Sequence, residues 1–174
     1  MLNRTLALAA TAAMFAAQTA AAVPQPCLTG PEAEAVMITA VPTVMTTLRM
    51  MCSTSLPANS LVRQDSGDFV AKYQAAADEA WPLAKAGLGK LAGPDVQPML
   101  ESRFARPTLV TILAPVVAAN FKVRDCAPAN RMITALAPLP PRNAAAAFVA
   151  FWQMSHADPK DQKDILPICP YGQK

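Results

Sequence analysis

The sequence predicts an all-α fold, a small irregular bundle of five or six helices, interrupted by proline and stapled by disulfides. Three observations lead there. Apolar residues recur at steps of three and four in several segments, and no run alternates as a half-buried strand would. Most of the 17 prolines fall inside or at the edges of those segments, where they start, bend or end helices. Four cysteines, Cys27, Cys52, Cys126 and Cys169, are spread along the chain with no close pair.

The opening stretch has the organisation of a signal peptide. Arg4 is a short basic region, Thr5 to Ala17 an apolar one, and Ala20, Ala21 and Ala22 are small residues suited to cleavage. Cleavage after Ala22 leaves one α-helical domain, 23–174, with a Pro-rich C-terminal tail. The apolar region is short for an anchor, so the mature chain is not expected to span a membrane. Val-Pro-Gln-Pro before Cys27 is unlike a lipoprotein signal. The expected location is therefore periplasmic or extracellular. Loss of Arg4 removes one of 15 basic side chains, set against 12 acidic ones. The remaining charges are nearly balanced and scattered. With no basic run interleaved with aromatics, nucleic acid is not an expected partner. No polybasic cluster argues for a membrane surface.

Taken in order, Thr29-Gly30-Pro31-Glu32 predicts a helix start with a capping box. Met37, Val41, Val44, Leu48 and Met51 give an inward face to about Met51, with a kink at Pro42. Ser66 is the expected cap of the next helix, with Phe69, Tyr73, Ala76 and Ala80 on one face and an Asp68–Lys72 pair. Trp81-Pro82 should interrupt it and Gly87, Gly89 and Gly93 disperse it. A short helix follows near Pro94 and Pro98, its face Met99, Leu100 and Phe104, ended by Arg106-Pro107. Thr108–Phe121 is apolar on nearly every side, which predicts a central helix covered all round. Cys126 opens a helix to about Ala137, with Met132, Ile133 and Leu136 inward. Asn143 should cap the last helix, which carries an aromatic stripe of Phe148, Phe151 and Trp152.

In an exported chain an even cysteine count predicts two disulfides. A helix of about 20 residues separates Cys27 from Cys52 by roughly 30 Å, far beyond disulfide reach. This favours bonding each of them to Cys126 or Cys169. Cys126 and Cys169 also bracket a local helical hairpin, so a Cys126–Cys169 bridge with Cys27–Cys52 stays open.

Candidate chemistry is sparse. His156 is the sole histidine; Ser155 and Asp158 adjoin it, but sequence neighbours do not make triad geometry and no G-x-S-x-G turn exists. Asp158, Asp161 and Asp164 are broken up by Lys160 and Lys163 and lack the spacing of a calcium loop. Glu32/Glu34, Asp65/Asp68 and Asp78/Glu79 read as helix-start or surface charges. The methionines at 37, 45, 50, 51, 99, 132 and 154 form no M-x-x-M cluster and read mostly as core filler. No cofactor or metal is implied. Leu139-Pro140-Pro141-Arg142 has the form of an extended ligand for an aromatic groove, or of a stiff connector between helices.

These features point first to a non-enzymatic interaction module of the cell envelope, with Leu139, Pro140, Pro141 and Arg142 as the candidate partner contact. A carrier of an apolar small molecule or lipid, and an enzyme without a recognisable motif, are the alternatives.

Overall fold

A computed structural model describes residues 26–155 and 166–172 of the 174-residue chain. The stretch read as a signal peptide, and His156, Asp158, Asp161 and Asp164, lie outside the described residues. Six helices follow one another: α1 Gly30–Met51, α2 Asp68–Ala92, α3 Gln97–Glu101, α4 Ala105–Asn120, α5 Cys126–Leu136 and α6 Pro141–Ser155. Three short 3-10 turns, Leu61–Arg63, Pro94–Val96 and Val123–Asp125, connect them. The all-α, disulfide-stapled bundle is as the sequence predicts.

The helix at the centre is α1, which packs against α2, α4 and α6. The expected hub, Thr108–Phe121, is peripheral. Within α4 only Ala105 is buried, and Val110 and Ile112 are about half exposed, at 46% and 57%. Its inner edge alone is used, with Val117 and Phe121 resting on the core.

Each half of α1 has its own core. Around its second half, Leu48, Cys52, Leu56, Val62 and Cys126 are buried, flanked by Val44, Met45 and Ile133. Around its first half, Leu28, Ala33, Val149 and Ile168 are buried, with Trp152 and Leu91 against them. Small residues permit this closeness. A Cβ at Gly87 of α2 would lie 2.8 Å from Leu28 Cδ2 and 3.1 Å from Glu32 Cβ. Gly93, at φ 82°, then turns the chain out of α2.

Several local expectations are corrected. The second helix runs unbroken through Pro82 and Gly87 to Ala92. Arg106 of α4 grips the turn that Pro82 loosens: its guanidinium donates to the Asp78 carboxylate and the Ala77 carbonyl and lies 5.2 Å from the Trp81 ring. Gly67 caps α2 in place of Ser66, whose hydroxyl donates to Asp65. Lys72 turns away from Asp68 and donates to the carbonyls of Ala137 and Leu139. The short helix ends at Glu101, and Arg106-Pro107 lies in the first turn of α4 instead of closing α3. In α6 the first residue is Pro141, suited to that position, rather than a residue after an Asn143 cap. Met132 is 56% exposed, and Met50, Met99 and Met154 are exposed too, so only part of the methionine set fills core.

At the start of α1 the expected box forms through Glu32. Its carboxylate accepts the Thr29 N–H at 2.8 Å and the Thr29 hydroxyl at 2.9 Å, and pairs with Lys90 of α2. Burial alone would raise the Glu32 pKa, but the hydrogen bonds from Lys90 and Thr29 outweigh it and hold the carboxyl below its ordinary 4.5. A lowered folded-state pKa lends stability that is complete above the ordinary value and lost as pH falls through the folded value. Glu32→Gln is therefore expected to flatten the stability curve below about pH 4.5. Urea midpoints measured across that range test it, and an acid limb as steep as in the parent chain contradicts it.

Candidate functional site

The four cysteines meet in two long-range bridges. Cys27 pairs with Cys169, Cα atoms 5.1 Å apart, and Cys52 with Cys126, 5.7 Å apart. The 22 residues of α1 hold Cys27 and Cys52 at opposite ends, which excludes their pairing. Each bridge serves one core. The inner one is enclosed, with Cys52 0% and Cys126 1% exposed. The outer one fastens a clasp in which Leu28 donates to Pro167 and Cys169 donates to Leu28, both at 2.8 Å. Gln153 of α6 donates to the Cys169 carbonyl, tying the clasp to the last helix.

Leu139–Arg142 spans the end of the turn after α5 and the first two residues of α6. Leu139 N–H donates to Leu136 O, and Asn143 and Ala144 donate to Pro140 O. With Lys72 fastened to the Leu139 carbonyl, the turn is pinned to α2. Leu139, Pro140 and Arg142 nevertheless face solvent.

The feature sequence reasoning missed is the outer face of α6. Phe148, Phe151 and Met154 are 43%, 62% and 71% exposed. Spaced by three, they form a slanted ridge, with exposed Ala147 and Ala150 beside it. Ala145 and Val149 carry the inward face that the aromatic stripe suggests for itself. The signal was present: Arg142 is the only charged residue of α6. What the sequence could not show is which side of the helix the bundle covers.

Comparison with protein-family models, curated proteins and solved structures gives no match to this chain.

One member of each acidic pair makes a structural contact. Glu32 serves the α1 cap, Asp78 holds Arg106, and Asp65 faces Arg49 at 3.8 Å. Ser155 donates to the Phe151 carbonyl. Among the described residues no group of three or more His, Cys, Asp or Glu is placed to hold a metal ion, and no helix is long and apolar enough to cross a membrane. Among the surface concavities, one of about 430 Å³ is an open facet of α5 lined by Ala127, Pro128, Arg131, Met132 and Ala135. Another, of about 140 Å³, lies between α1 and α2.

Proposed function

We propose that this protein is an exported, non-enzymatic interaction module of the cell envelope, and that α6 is the element it offers to a protein partner. The observation that carries this reading is the ridge of Phe148, Phe151 and Met154, exposed on a helix with no charge beyond Arg142. Aromatic anchors on one helix face suit insertion into an apolar groove, where they lose water and keep little entropy to surrender. The partner is accordingly a protein with an uncharged apolar groove one helix wide. Two disulfides and the signal-like N-terminus support an oxidising location. The pinned turn at Leu139–Arg142 borders the same helix and fixes its starting direction.

A photo-cross-linking side chain placed at Ala150 is expected to capture one discrete partner from intact cells of the native host. Phe148→Asp with Phe151→Asp should abolish capture while leaving the helical circular-dichroism spectrum unchanged. Capture that survives both substitutions, or a smear of products with no discrete species, overturns the reading.

A further inference from the structure

Charge is unevenly divided along the described chain. From Cys27 to Glu101 acids outnumber bases, eight to five. Between Ser102 and Ser155 the bases are Arg103, Arg106, Lys122, Arg124, Arg131 and Arg142, and Asp125 is the one acid. Arg106 is committed to Asp78. Lys122, Arg124 and Arg131 gather at α5 and the turn that leads into it.

That turn, Val123–Asp125, runs directly into α5. Arg124 and Arg131, seven residues apart, are therefore about two helical turns apart on one side. Arg131 belongs to the open facet it lines with Ala127, Pro128, Met132 and Ala135. Cys126 is buried and Ile133 rests on the core, so the facet is turned away from the bundle. α5 itself contains no acid. Asp125 accepts the Lys122 N–H at 2.9 Å and lies 3.8 Å from Arg124 Nε, so it balances at most one of the three cations. The Arg124 side chain is 86% exposed, and Arg131 pairs with no carboxylate among the described residues. Val123 and Met132 stand exposed among these cations, at 57% and 56%.

Cations so poorly supplied with carboxylates select an anionic partner, and their company selects which. No exposed aromatic stands on the facet to stack a base, as a single-stranded nucleic acid would need. The facet is open, with no slot for a peptide, and its apolar side chains alternate with the charges. A lipid interface takes both kinds of group at once, cations at the phosphates and apolar side chains at the acyl boundary. We propose that α5 and its leading turn dock on the surface of a bilayer rich in anionic lipid, with Lys122, Arg124 and Arg131 at the headgroup phosphates and Val123 and Met132 dipping between them. With 11 residues, α5 lies along the surface and does not cross it. Each cation near such a surface is worth about fivefold in partitioning, so attachment is reversible and salt-sensitive. The facet is built by α5 and not by the α6 ridge, and it stands or falls independently of the partner contact.

The test is sedimentation of full-length mature protein with vesicles of equal parts phosphatidylglycerol and phosphatidylcholine. Partitioning is expected to be at least tenfold stronger than onto phosphatidylcholine alone, and to be lost at roughly 1 M salt, where charges are screened within about 3 Å. Arg124→Gln with Arg131→Gln should weaken it at least tenfold and Met132→Ser several-fold, each with an unchanged circular-dichroism spectrum. Lys85→Gln, which removes a cation of α2, should leave it within twofold of the parent. So should Phe148→Ser with Phe151→Ser, which disarms the ridge without adding charge. Equal binding to both vesicle types, binding unweakened by the arginine substitutions, or binding lost in the paired serine variant overturns the proposal. So does polyglutamate that displaces the protein from vesicles at matched charge, which assigns the facet to an acidic protein instead.

Discussion

Replacing both members of the inner bridge, Cys52→Ala with Cys126→Ala, is expected to lower stability by about 4 kcal/mol. The bridge closes a loop of 74 residues, for which the chain-entropy model gives about 4–5 kcal/mol. Both cysteines also sit inside the core with Leu48, Leu56 and Val62, so truncation leaves a space there as well. Against a total of about 5–15 kcal/mol for a domain, the loss takes much of the folded population. Urea unfolding followed by circular dichroism measures it, and a loss below about 1 kcal/mol contradicts the role assigned to this bridge. The same geometry orders the reduction. Cys27 is half-buried while both inner cysteines are enclosed. A dithiol reductant should therefore open the Cys27–Cys169 bridge first under native conditions. Mass spectrometry of alkylated peptides at early times reads the order directly.

The second large effect contrasts two leucine-like positions. Leu28→Ala is expected to cost about 2–4 kcal/mol, and Ile112→Ala no more than about 0.5 kcal/mol. Leu28 is 0% exposed, seated against α2 at Gly87 and within the core formed with Ala33, Val149 and Ile168. Its removal leaves a cavity that the clasp, bonded to Pro167 and Cys169, cannot collapse. Ile112 is 57% exposed and touches little. Denaturant midpoints of the two variants decide the matter. An Ile112→Ala loss equal to that of Leu28→Ala would mean that α4 is covered in solution by a further surface.

This contrast marks where the sequence was legible. The start of α1 was readable because Thr29, Pro31 and Glu32 act locally, and the capping contacts need no other element. The length of α1, again a property of one helix, favoured long-range cysteine pairing but left open which of Cys126 and Cys169 each cysteine meets. The central position was not readable from local pattern. An all-apolar helix such as α4 must avoid water on average, but apolarity does not say which neighbours are available to cover it. Ala33 and Ala35 of α1, modest in hydrophobicity, are buried because small side chains admit close helices. Likewise Pro82 weakens α2 locally, and the sequence does not show that the distant Arg106 ties down the turn before it. The concavity between α1 and α2 was equally hidden, since Arg49 and Tyr73 come to line it through packing and not through spacing.

The outer bridge makes the chain from Cys27 to Cys169 a closed covalent ring. The exposed residues Ser53, Thr54 and Ser55 form a surface turn on that ring. A peptidase that cuts there severs the backbone between Cys52 and Cys126, and both bridges then span the break. The nicked molecule keeps its mass on a non-reducing gel and separates into two fragments only when reductant is added. Such a protein can be cut once at its surface and remain a single molecule, a useful property wherever peptidases are abundant and thiols are oxidised.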